Sequence, residues 1–203
     1  MKRALALLLL GSVCALAKPA TASVQIAVLF DDLVRDSNAI CVFTGLEQKA
    51  AWEDGRIYTR TRVRCDQPFA GELKQGQEAW IRTMGGVVGD VGQSVSGEAT
   101  FGIGNSSIAF VHTGLLGTYE VTARAQGHFP VQTIAPDKTK KATRSPDVGA
   151  VLAAQPAAEA RVRSLARTAL TASATQPALI VVPGKTTDEI AKEVGLAWQR
   201  THP

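Results

Sequence analysis

Between Arg56 and Asp66 the chain alternates without a break. Ile57, Thr59, Thr61, Val63 and Cys65 fall on one side of an extended backbone, and Tyr58, Arg60, Arg62 and Arg64 on the other. A repeat of two is the signature of a strand with one buried face, so the segment is predicted to carry a basic outer surface. Asp54-Gly55 precedes it and reads as a tight hairpin turn, with Ala39 to Leu46 as an apolar strand before the turn. Glu78 to Met84, Ser106 to Thr113, Thr118 to Ala125 and His128 to Thr133 read as further short strands separated by glycine turns. Strands at this spacing predict a mainly β fold, a small barrel or sandwich of five to six strands over residues 24–134.

Around this framework the chain changes character. Leu29 to Ser37 places Leu29, Phe30, Leu33 and Val34 on one helical face, with acids near its start, and predicts a short N-terminal helix. Gly85 to Gly97 has five glycines and no aromatic residue, and reads as a loop or a sharply bent strand. Residues 135–156 are rich in Lys, Thr, Ala, Ser and Pro and read as an exposed linker. A helical C-terminal extension over 157–203 is expected from apolar residues at helical spacing in Ala157 to Leu170 and in Thr187 to Arg200. Thr186 to Glu189 forms a capping box for the second helix. Ala178 to Val182 (ALIVV) between them suggests an extra strand whose place in the fold is open.

The N-terminus reads as an export signal. Met1-Lys2-Arg3 is followed by an apolar run too short to span a bilayer, then by Ala20-Thr21-Ala22. Cleavage is expected after Ala22, with Ala15-Leu16-Ala17 as the alternative site. Gly11-Ser12-Val13-Cys14 fits a lipoprotein box poorly. Loss of residues 1–22 removes Lys2, Arg3 and Lys18 and no acid, leaving 19 basic against 18 acidic residues. Residues 23–131 then hold 9 basic and 12 acidic side chains, and residues 132–203 hold 10 and 6. No later apolar run reaches the length of a transmembrane helix. Two cysteines remain, Cys41 and Cys65; in an exported chain such a pair reads as a disulfide, the alternative being two buried thiols on neighbouring strands.

Familiar catalytic motifs fail on inspection. Val182 to Thr187 resembles a phosphate-binding loop, but its first glycine would fall at Leu179. Gly102-Ile103-Gly104 lacks the third glycine of a dinucleotide fingerprint and precedes a strand. Gly92 to Ser96 has serine where a nucleophile elbow needs glycine. Asn105-Ser106-Ser107 is a glycosylation sequon, relevant only in a eukaryotic secretory pathway. Glu53 and Asp54 are adjacent turn residues, not an acid and base pair. His112, His128 and His202 form no zinc pattern, so no metal or cofactor is expected. An enzyme reading would rest on His112 or His128 meeting across strands in a secreted hydrolase or its accessory subunit.

The arginine ladder is the strongest candidate for binding. Arg60, Arg62 and Arg64, with Tyr58 beside them and Trp52 near the turn, could receive an unknown protein or an anionic ligand. The plainer reading pairs each arginine with an acid on a neighbouring strand. Lys138, Lys140, Lys141 and Arg144 form a basic patch in the linker that reads as solvated. Nucleic acid is not expected, because export separates the chain from it and the body is net acidic.

Across residues 38–131, the segment WEDGRIYTRTRV, the strand Trp80-Ile81-Arg82-Thr83 running into Gly85-Gly86-Val87-Val88-Gly89, Phe101-Gly102-Ile103-Gly104, and Ala125-Gln126-Gly127-His128-Phe129 resemble a group of uncharacterised exported bacterial β-domain proteins. In order of elements the chain is also similar to the netrin-like module of metalloproteinase inhibitors. That resemblance implies an OB-like barrel. The cysteine that those inhibitors carry at their mature N-terminus has no counterpart before Cys41, so no inhibitory residue carries over. The expected function is a non-enzymatic binding or interaction module, periplasmic or extracellular, presenting either the ladder face or the loops around Trp52 and Gly85 to Gly97.

Overall fold

The computed structural model describes residues 24–114, 117–134, 138–153 and 175–202. The export signal over 1–22 and the helix expected over Ala157 to Leu170 lie outside the described residues. The elements are β1 (Val24–Ile26), α1 (Phe30–Arg35), β2 (Ala39–Glu53), β3 (Arg56–Gly71), β4 (Glu78–Met84), β5 (Gly86–Val88) and β6 (Val91–Gln93). They continue with β7 (Ser106–Thr113), β8 (Tyr119–Val121), β9 (His128–Ile134), β10 (Thr139–Ala142), β11 (Ala150–Leu152), α2 (Ala178–Val181) and α3 (Thr187–Thr201).

The β2–β3 hairpin organises the molecule. Asp54 and Gly55 both take positive φ, 49° and 76°, the backbone that joins two right-twisted strands in two residues. Register shifts between Ile40 and Cys41, Val42 and Phe43, and Gly45 and Glu47 bend β2, so that so long a hairpin curls instead of lying flat. At Gly45 an added Cβ would stand 2.5 Å from the Gly102 carbonyl oxygen. The Ile103 backbone lies parallel to it there, so the close crossing requires glycine.

Seven strands form one sheet in the order β10-β9-β7-β2-β3-β4-β8, and β8 pairs back onto β7. Strands β2, β3, β4, β8 and β7 therefore make an OB-like ring. The parallel step from β4 to β8 is short, pairing only Ile81 with Tyr119 and Arg82 with Glu120, so closure is partial.

Two apolar cores lie on either side of this wall. Inside the ring are Cys41, Phe43, Val63, Cys65, Ile81, Phe101, Val111 and Val121. Cys41 and Cys65 are joined as a disulfide with Cα atoms 5.6 Å apart, linking β2 to β3 within that core. Closing a loop of this size stabilises the fold by about 3 kcal/mol in the chain-entropy account. Outside, Ile40, Val42, Ile108, Phe110 and Phe129 meet Phe30 and Leu33 of α1, Val181 of α2, and Ile190 and Val194 of α3. Phe110 packs edge-on to both Phe30 and Phe129, with ring centroids 6.1 Å apart in each pair. Arg200 of α3 reaches Asp31 of α1 at 2.7 Å. The Thr186 side chain caps α3, and Glu189 bonds back to the Thr186 amide, as the sequence predicts.

Some elements differ from expectation. Ala178–Val181 is a short helix: Pro177 stands at its N-cap, and helical turning brings Ala178 and Val181 together onto the outer core. The strand expected over Thr118 to Ala125 stops at Val121. Ala123 and Arg124 then take positive φ and lead into a 3-10 turn over Arg124–Gly127. Gly127 lies against the Thr122 carbonyl with no room for a side chain. Within the segment expected as linker, β10 pairs antiparallel with β9, and β11 pairs parallel with β1. The glycine-rich stretch contains a small hairpin, β5–β6. No helix among the described residues is long and apolar enough to cross a membrane.

Candidate functional site

The ladder stands where the alternation put it, on the outer face of β3, and each arginine has an acid. Arg62 lies between Glu47 of β2 at 2.9 Å and Glu78 of β4 at 2.8 Å. Arg60 meets Glu53 at 2.8 Å, and Arg64 meets Asp66 at 2.6 Å. On β4, Arg82 bridges Glu53 and Glu120 at 3.0 Å each, with its guanidinium 3.5 Å over the Tyr58 ring. The result is a lattice of alternating charge. An anion arriving at this face would have to displace a carboxylate already in place.

A different feature lies at the end of the ring nearest the hairpin tip. A groove of about 670 Å³ opens there between the inner side of the hairpin (Gln48, Ala50, Thr59), the end of β4 (Thr83, Met84) and the β5–β6 hairpin. Segment 94–101 and Asp147 close it. The glycine hairpin is pinned as its wall. The Thr59 hydroxyl donates to the Gly85 carbonyl at 2.7 Å, and the Gln93 side chain accepts from the Ile57 amide at 2.8 Å. Gly86 takes φ 132° directly over Thr59, where a Cβ would collide with the Thr59 hydroxyl. On the opposite wall the Gln48 amide donates to the Phe101 carbonyl. Trp52, opposite Ile57 at the tip, is half exposed and lies outside the residues that line the groove.

Among the described residues, the charged side chains lining this groove are Glu98 and Asp147, with no lysine or arginine. Asp147 accepts from the Thr100 amide at 3.1 Å. Glu98 is only 9% exposed, and its carboxyl is pushed above the usual range chiefly by desolvation. Arg124 and the backbone amides of Ala99 and Met84 pull the other way, and Glu120 adds to the rise. The nearest approach of Arg124 is 3.7 Å, from the side of a second cavity of about 210 Å³ that shares Thr83, Met84 and Glu98 with the groove. Sequence reasoning singled out neither acid. The usable signal was the glycine-rich stretch just before Glu98, which marks close backbone approach without naming what it approaches.

The two strand histidines do not come together. His128 stands opposite Ala109, which belongs to the inner core, whereas His112 lies three positions further along β7 and so points outward. His112 Nδ1 meets the Thr122 hydroxyl at 3.3 Å. His128 is buried beside the Phe101 ring, centroids 4.6 Å apart, with both ring nitrogens lacking a hydrogen-bond partner. Burial lowers its pKa to about 4. Among the described residues neither ring hydrogen-bonds to a serine or a carboxylate. Among the described residues no group of three or more His, Cys, Asp or Glu is placed to hold a metal.

The arrangement is thus an OB-like ring with a disulfide inside it, a charge-compensated flank and an open groove of mixed polar and apolar lining at one end. A scan against protein-family models, a search of curated proteins and a search of solved structures each return no match to this chain.

Proposed function

We propose that the chain is an exported, non-enzymatic binding module that receives its ligand in the groove at the ring's end. Export is supported by the basic and apolar N-terminal segment and by the Cys41–Cys65 disulfide, a bond that persists in oxidising compartments. The single observation that carries the binding reading is the groove itself. Its volume of about 670 Å³ is within the range of ligand clefts, and its wall is a glycine hairpin fastened by Thr59 and Gln93. The arginine ladder, with its acids already in place, is left to hold the flank together.

The test sets the two surfaces against each other. Ser94 is exposed at the groove wall, so Ser94→Trp fills the opening without entering a core. Immobilised wild type, Ser94→Trp and the triple Arg60→Ser, Arg62→Ser, Arg64→Ser variant would be compared for what each captures from an extracellular or envelope fraction. Loss of capture with Ser94→Trp, and retention with the triple variant, is the expected outcome. The reverse pattern would move the binding site to the ladder.

A further inference from the structure

We infer that the groove selects a cation, and that Glu98, assisted by Asp147, receives an ammonium or guanidinium group of the ligand. The inference rests on the groove being the binding site and adds the chemical class of what enters it. Three observations converge. The lining carries two carboxylates among neutral polar groups, glycine backbone and apolar side chains such as Met84, Val95 and Phe101, and no cation among the described residues, so an anion entering would be repelled and a cation attracted. Second, Glu98 is buried and weakly compensated. Its contact with Arg124 is 3.7 Å, whereas the other ion pairs among the described residues measure 2.6–3.0 Å. A carboxylate has about four acceptor sites, and those of Glu98 are not exhausted by one distant guanidinium and two backbone amides. Third, Arg124 lines the smaller cavity and not the groove, so it approaches Glu98 from another side. A ligand cation in the groove would therefore add to Arg124 instead of competing for its place. It would complete the pairing of a carboxylate already taken out of water.

Two sources offer this chemistry, a basic peptide segment and a polyamine, and the experiment separates them. Full-length exported protein would be titrated with an end-blocked serine–arginine octapeptide, spermidine, a serine–glutamate octapeptide and maltohexaose. The expected result is saturable binding of one or both cations and none of the glutamate peptide. Glu98→Gln should weaken the cation by about tenfold or more while leaving the unfolding midpoint unchanged or raised. In the wild type, the Glu98 side-chain carboxyl carbon resonance should move with the cation, a reading that survives if the variant folds poorly. The tighter of the two cations names the source.

Binding of maltohexaose but neither cation, abolished by Ser94→Trp, would overturn the charge assignment and leave the groove standing. Cation binding that is indifferent to both Glu98→Gln and Ser94→Trp would overturn both readings. Failure of both cations to bind overturns the inference.

Discussion

The same sheet presents two outer faces that solve the same problem in opposite ways. Where β2, β7 and β9 turn outward they carry Ile40, Val42, Ile108, Phe110 and Phe129, and segments from both ends of the chain, α1 on one side and α2 with α3 on the other, close over them. Where β3 and β4 turn outward they carry Tyr58, Arg60, Arg62, Arg64 and Arg82, the arginines matched to Glu47, Glu53, Asp66, Glu78 and Glu120, with no covering layer among the described residues. The covered face is assembled from distant sequence, and its stability is hydrophobic burial. The open face is assembled almost wholly from one hairpin and its neighbour strand, and its order is electrostatic. The difference teaches where energy is concentrated: a substitution of similar size should be felt severely on one face and barely on the other.

The largest expected effect is at Phe110, fully buried between Phe30 and Phe129. Phe110→Ala should lower unfolding free energy by about 3–5 kcal/mol, because the side chain leaves a cavity among helices that cannot collapse independently. Urea denaturation followed by tryptophan fluorescence and far-ultraviolet circular dichroism would measure it. A loss below about 1 kcal/mol would mean that the helices do not hold the sheet's outer face as described.

β9 connects this covered face to the ring interior, since Phe129 points outward and His128 inward. The interior residue makes the second prediction, a pH dependence that the covered face itself cannot supply. Burial holds His128 near a pKa of about 4 against an ordinary 6.5. Above pH 6.5 it is neutral in both states and its effect is constant. Between 6.5 and 4 the unfolded chain takes up a proton that the folded chain refuses, so stability falls with pH by about 3 kcal/mol across that window. Glu98 acts with the opposite sign: its raised pKa means the folded state binds the proton more readily, so its contribution favours folding as pH falls and is lost as pH rises through that pKa. His128→Leu should flatten the acid slope of unfolding free energy between pH 6.5 and 4. A slope unchanged by the substitution would place the acid sensitivity elsewhere.

These two residues also show what could be read in advance. The alternation in β3 was legible because its outer face is charged, so inside and outside differ in kind; the hairpin turn and the cap of α3 were legible from local chemistry. β2 and β7 read only as apolar strands, since both their faces are buried and the period of two disappears. That there were two cores, one inside the ring and one beneath the helices, could not be inferred from them. The strands β10 and β11 were hidden because stretches of three or four residues, one polar (TKKA) and one apolar (AVL), become strands only when β9 and β1 offer an edge. Ala178–Val181 read as a strand from its apolar and β-branched residues, and became a helix because Pro177 and the outer core decide its conformation. The groove was the least legible part. Glu98 and Asp147 are far apart in sequence, and each looks solvated until the ring and the glycine hairpin bring them to one opening.

The smallest effect is expected on the open face, and there a small number is the informative result. Arg62 touches Glu47 and Glu78 across both neighbouring strands and is the best-connected member of the ladder on β3. Its side chain and those of both acids are more than a third exposed or close to it, so water screens the pairs and competes for each charge. Arg62→Ala should therefore cost less than about 1 kcal/mol, and the cost should shrink further as salt is raised. A double-mutant cycle with Glu78→Ala, read by urea denaturation at low and at high salt, isolates the pair from what the arginine stem contributes by packing. A coupling well above 1 kcal/mol that persists at high salt would show that the lattice behaves as a buried network. The contrast between the two faces would then be one of chemistry alone and no longer one of energy.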